Sequence, residues 1–257
     1  MNMLWLVIAA AIFLVIALSL RAGWLAGRRR LAVYGDSAND GLGSAEAAIF
    51  GMMGLLLAFT FTGAANRFEQ RRALVVQESN AVGTAWLRLD LLRDAPRAQA
   101  RALMRQYLER RLDAYRHVTD PARTSDALAA VAKVQTQIWD LAVREVREDR
   151  SQPLGQLLLP PLNDAFDIAA TRVLATRQHT HVAIFAMLGL LVLISAFLAG
   201  FGQAKVPRQS MIHLMGFAAV TTLALYLIVD LEFPRLGIIR VDDFDQALVE
   251  LLASLTS

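Results

Sequence analysis

The 257-residue chain is 56% hydrophobic and 19% charged, with a formal charge of +3 and a mean hydropathy of +0.42. That is too apolar for an ordinary soluble domain and too charged for a bare bundle of membrane spans, so two regimes share the chain. Cysteine is absent, which excludes disulfides, thiolate catalysis and cysteine metal sites, and no basic run is long enough for a nucleic-acid footprint.

Four apolar stretches set the class. Residues 3–20, 47–65 and 182–202 carry no charge, and 211–229 holds only His213 as an ionisable group. Each is close to the roughly 20 residues that cross a hydrocarbon core, and four at this purity read as spans rather than buried core helices. The first lacks a basic leading region and is followed by Arg21 rather than a small-residue cleavage site. It reads as a span and not as a cleaved leader. The predicted organisation is spans 1 and 2 within 1–65, a helical extramembrane domain at 66–180, spans 3 and 4 within 181–231, and a tail with a short helix at 232–257.

Between spans 2 and 3 the pattern is helical nearly throughout. No turn signal separates "GLLLAFTFTG" from "AANRFEQRR", so span 2 is expected to run on past the membrane. Asp94-Ala95-Pro96 is a start signal, a capping carboxylate followed by a proline in the first turn. Met104, Leu108, Leu112 and Tyr115 then recur at helical spacing, as do Leu128, Val131, Ile138 and Leu141 later. Both stripes read as core, and the arginine faces beside them (Arg101, Arg105, Arg110, Arg111) as solvated. "DPARTSD" at 120–126 reads as a loop ending in a second cap, and three prolines in "SQPLGQLLLPPLND" break the pattern. From Leu162 a helix is expected to resume and continue straight into span 3. Sidedness stays open, because basic residues flank both sides of the spans in nearly equal number.

Candidate chemistry is sparse. His179 and His181 sit two apart, which on a helix points them to opposite sides, away from a shared metal ion. His213 lies one turn into span 4, where an ionisable group is a functional candidate by default. Asp242, Asp243 and Asp245 lack a glycine-turned loop and read as an acidic helix start ahead of "ALVELL". No nucleophile elbow, phosphate loop or HExxH motif occurs, so no enzyme, metal or cofactor is expected.

Span 2 is different. Gly51, Gly54 and Gly63 are small enough for close helix approach. Gly51, Leu55 and Phe59 fall one turn apart on one face, and Thr60, Thr62 and Asn66 add polar groups toward the exit. Two readings stand side by side: a packing helix of a monomeric bundle, or a pore-lining helix whose Leu55 and Phe59 form an apolar constriction.

"AANRFEQRRALVVQESNAVGTAWLRLD" and "DLEFPRLGIIRVDDFDQAL" resemble the segments after the second and last spans of bestrophins. The four-span layout is similar to that of the bacterial bestrophin-like family, related to bestrophin anion channels. In the first segment Arg67 falls on the first Arg of the family's R-W-W pattern, Phe68 on the aromatic after it, and Arg71 or Arg72 on the later Arg. Glu69 replaces the second Trp. The resemblance implies a pentamer with one central pore, whose neck is formed by three bulky apolar residues of span 2 at four-residue intervals. Counted back from Arg67, these fall on Phe59, Leu55 and Gly51. Gly51 departs from the pattern, leaving a wider outer neck or one completed by Met52. The calcium site of animal members is not carried over. The family also implies a cytoplasmic helical domain.

The expectation is therefore an all-α membrane protein, bestrophin-like, with four transmembrane helices and a helical water-soluble domain inserted between spans 2 and 3. It would act as a pentameric, anion-selective channel in a bacterial inner membrane. Its pore neck is Leu55, Phe59, Gly51 and Met52, and its anion-attracting exit Thr62, Asn66, Arg67 and Arg71. Its partners are the lipid bilayer, further copies of itself and inorganic anions, with no nucleic acid. The alternative is a membrane-anchored interaction or scaffold protein that keeps the channel fold without conducting.

Overall fold

The computed structural model describes residues 3–35, 43–116, 120–148, 153–205, 211–234, 237–239 and 242–255. Among them there is no strand. Eight α-helices follow one another: α1 (Met3–Tyr34), α2 (Gly43–Arg88), α3 (Asp94–Arg116), α4 (Pro121–Glu148), α5 (Pro153–Arg177), α6 (Val182–Gly202), α7 (Met211–Glu232) and α8 (Asp242–Ser254). Four helical stretches, in α1, α2, α6 and α7, are long and apolar enough to cross a membrane.

The 46 residues of α2 form one uninterrupted helix. At about 1.5 Å per residue it is more than twice as long as the roughly 30 Å hydrocarbon core. The change from apolar to charged composition near Asn66 is therefore not a helix end.

Three boundaries differ from the expectation. The segment 120–126 is not a loop: α4 starts at Pro121, and Asp120 caps it, its Oδ1 accepting from the amides of Ala122 and Arg123 at 3.2 Å. A proline at the first helical position loses nothing, since that amide has no intrahelical partner. Likewise α5 begins at Pro153 and carries Pro160 and Pro161 inside it. A proline in a helix interior costs about 3 kcal/mol. Here Leu158 and Leu162, both 0% exposed, flank the pair and bury against the core, while Gln156 and Leu157, whose carbonyls lose their donors, lie on the exposed side. Finally, α5 does not continue into span 3. The chain leaves the helix over residues 178–181, and His181 caps α6, its Nδ1 accepting from the Ala183 amide at 3.2 Å.

The chain divides into two compact units, residues 1–68 with 179–240 and residues 69–178 with 241–257. In the first, α1 and α6 form the most extensive pairing. Gly23 and Gly27 face the Phe197 and Phe201 carbonyls, and Gly200 faces the Leu20 carbonyl, so closely that a Cβ at any of them would collide with backbone. Ser19 Oγ donates to the Leu193 carbonyl at 2.8 Å beside this crossing. The small residues that matter for helix approach are thus in α1 and α6. Gly51 and Gly54 meet nothing within the chain, and Gly63 meets only the side chain of Arg67, so their expected role in close packing is not realised here. Helix α7 joins α1 through the edge-to-face pair Trp5–Tyr226, and α2 reaches α7 through Phe50–Phe217.

The second unit is a helical cluster with its own core. Val82, Ala85 and Leu89 of the α2 end meet Met104, Tyr107 and Leu108 of α3, Ile138 and Leu141 of α4, Leu158 and Leu162 of α5, and Leu248 of α8. The apolar stripes of α3 and α4 are core, as their period predicts, with Leu128 half-buried at the margin. The sequence reading did not place α8 here.

Candidate functional site

Helix α2 has two faces in the first unit. Met53, Thr60 and Ala64 turn inward and are buried, and Thr60 returns its hydroxyl proton to the Leu56 carbonyl at 2.7 Å. The opposite face is left open by its own chain: Gly51, Met52, Leu55, Phe59, Thr62 and Asn66 are all exposed. Phe59 is 67% exposed and Leu55 57%. Spacings of four and three residues hold this stripe to one side of the helix. Its end is uncharged but polar, a hydroxyl and an amide that can donate hydrogen bonds to an anion.

Arg67 follows one residue after the stripe and is not a free cation. Its Nε and Nη2 donate to Glu232 Oε2 at 3.2 and 2.7 Å, and Nη2 also donates to the Thr180 hydroxyl. The Glu232 carboxylate is 0% exposed and accepts further from the Thr180 amide at 2.6 Å. His179 Nδ1 lies 3.4 Å from its other oxygen, the ring stacked on Phe233. Residues 237–239, after span 4, are held in a similar way. Asp230, also 0% exposed, accepts from the amides of Ile238 and Ile239 at 3.0 and 3.1 Å, and a Cβ at Gly237 would strike its carboxylate. These two buried carboxylates escaped the sequence reading, although "VDLEFP" at the end of an apolar run was the signal.

In the second unit, Arg71 is buried and donates to the carbonyls of Ala175 and Gln178 at 3.2 and 2.7 Å. These carbonyls lie in the last turn of α5 and just past its end, where a cation also suits the helix dipole. Arg67 and Arg71 thus act on the fold first, Arg67 through Glu232 and Arg71 through α5.

The same unit buries a charged network that sequence reasoning missed. Glu78, 0% exposed, takes Arg111 on Oε1 (Nε at 2.7 Å) and both Arg172 Nη1, at 2.7 Å, and the Tyr115 hydroxyl, at 3.0 Å, on Oε2. Arg172 also pairs with Asp245 of α8 and lies 3.6 Å over the Tyr115 ring. Two guanidinium groups and two carboxylates leave the cluster neutral. Burial first, and the Glu78 charge second, push the Tyr115 hydroxyl well above its ordinary range. Among the described residues no group of three or more His, Asp or Glu is placed to hold a metal ion.

An all-helical chain with four membrane-compatible helices and an open apolar face on one of them is the class that this geometry defines. The chain belongs to the Bestrophin-like domain family, whose model matches residues 4–244. That family is channel-type rather than enzymatic. No curated protein and no solved structure matches the chain.

Proposed function

We propose that this protein is an oligomeric ion channel, a pentamer selective for anions, with α2 lining its neck. The observation that carries this reading is the face of α2 holding Leu55 and Phe59, which the chain itself leaves uncovered. Copies of α2 around one axis would turn that face into rings of Leu55 and Phe59, an apolar constriction that conducts or dewets according to its width. At Gly51 the rings would have no side chain, so the outer neck opens, flanked by Met52. Thr62 and Asn66 then meet the emerging anion with neutral donors. Arg67, balanced by Glu232, and Arg71 hold the surrounding chain, and Arg71 contributes positive potential at longer range. Residues 66–180 form the water-side vestibule, on the cytoplasmic side of a bacterial inner membrane.

Native mass of the nanodisc-held complex tests the assembly. A pentamer with anion flux into liposomes is the expected result. A monomer or dimer leaves no ring and favours the alternative, a membrane-anchored scaffold. Sidedness is tested by a cysteine at Ala129, exposed on α4, in a chain with no other cysteine. An impermeant thiol reagent applied to intact cells is expected to leave it unlabelled; labelling from outside reverses the orientation.

A further inference from the structure

Helix α3 sets Arg97, Arg101 and Arg105 one turn apart on one face. Like charges at this spacing repel, and a merely solvated helix intersperses carboxylates between them. Two of the three are compensated. Arg97 pairs with Asp94 at 2.5 Å and Arg101 with Asp90 at 2.6 Å. Arg105 has no ionic partner among the described residues.

These partly exposed groups border a recess in the surface. With Trp86, Ala102 and Leu255 they line a groove of about 330 Å³ within the unit of residues 69–178 and 241–257. The Arg101 guanidinium lies 5.0 Å over the buried Trp86 ring, and its Nε is shielded from solvent with no acceptor. A shielded donor without an acceptor is unfavourable until something supplies one. The groove thus combines a guanidinium with no ionic partner and an apolar floor, and stays net positive after Asp90 and Asp94 are counted.

A carboxylate fills one guanidinium fork, whereas a phosphate has enough acceptor oxygens to join two or three at once. We infer that this groove binds a phosphate group, held between Arg105, Arg101 and Arg97. The group comes either from a free phosphate or from a phospholipid headgroup, and the chemistry is the same. The site stands whether or not α2 lines a pore.

The test uses the full-length protein in nanodiscs of phosphatidylcholine, titrated calorimetrically with inorganic phosphate at ionic strength held constant with chloride. Saturable binding of one phosphate per chain is expected, weakened at least tenfold in Arg105→Gln. The control Arg123→Gln, which removes an exposed charge on α4 paired with Asp120, should bind as the native chain does. Since Arg105 has no partner, its variant should keep the native melting temperature without ligand. A second arm dopes the nanodiscs with a phosphoinositide. If only this arm stabilises the native protein, and Arg105→Gln loses the effect, the phosphate is a lipid headgroup. If neither arm separates native from Arg105→Gln, or if Arg123→Gln loses as much, the site does not exist.

Discussion

Replacing Glu78 with alanine is expected to prevent the second unit from folding, rather than merely to weaken it. Both carboxylate oxygens are engaged, by Arg111 on one side and by Arg172 and Tyr115 on the other. Removal leaves two guanidinium groups with side chains only 2% and 4% exposed, and Asp245 remains to balance just one. Breaking a buried ion pair from one side costs about 3–5 kcal/mol. Here two cations are stranded at once, against a total stability that for ordinary domains is about 5–15 kcal/mol. All three groups, Glu78, Arg111 and Arg172, are almost fully excluded from solvent, so water does not relieve them in the folded unit.

Expression yield, gel filtration and thermal unfolding by circular dichroism check this. Glu78→Ala should aggregate or melt far below the native protein. Glu78→Gln keeps one acceptor oxygen but loses the charge and sets an amide NH2 against the donors on the other side, and should fall between. A triple replacement of Glu78, Arg111 and Arg172 by apolar residues of similar volume should recover much of the loss, because no charge is then left unpaired. Tyr115 adds no pH sensitivity near neutrality. Its folded pKa is raised, so its contribution is complete below the ordinary tyrosine value and is lost only as the pH climbs beyond it. A native-like melt for Glu78→Ala would mean that the network is incidental to the fold.

What could be read from the sequence was local, and what could not was pairwise. The continuity of α2 was legible because no breaker interrupts 54–72, and the cores of α3 and α4 because their apolar residues repeat at the helical period. The prolines of α5 misled, since their cost is visible in sequence while the burial of Leu158 and Leu162 that offsets it is not. Glycines in a span say that close approach is permitted, not where the neighbour lies. The crossing is at Gly23, Gly27 and Gly200, while Gly51 and Gly54 face open space. Glu78 finds Arg111 and Arg172 across 33 and 94 residues of chain, and no short-range pattern links such partners. The stripe from Leu55 to Asn66 could be placed on one face by spacing alone; that its own chain leaves it uncovered required the fold.

Phe59→Ala is expected to raise anion flux severalfold in liposomes while leaving the native mass unchanged. Phe59 is the largest side chain on the open face of α2 and 67% exposed, so its removal should cost the individual chain little packing. In a ring of copies the loss is multiplied by the subunit number, because each contributes one aromatic side chain to the same narrow level. An apolar constriction blocks ions by being too narrow to stay wet, and widening it by a ring's breadth removes that barrier. Leu55→Ala, one turn away, should act in the same direction but less, since the leucine is smaller and the Phe59 level still closes the path. The discriminating control is Phe61→Ala. Phe61 is 44% exposed but sits two residues on, across the helix from Phe59, and its loss should leave flux unchanged. Equal effects at Phe59 and Phe61 would indicate a general loosening of α2 and not a neck. No effect at Phe59 in a conducting pentamer would place the constriction elsewhere, and α2 would then be a lipid-facing or packing helix whose open side carries no ions.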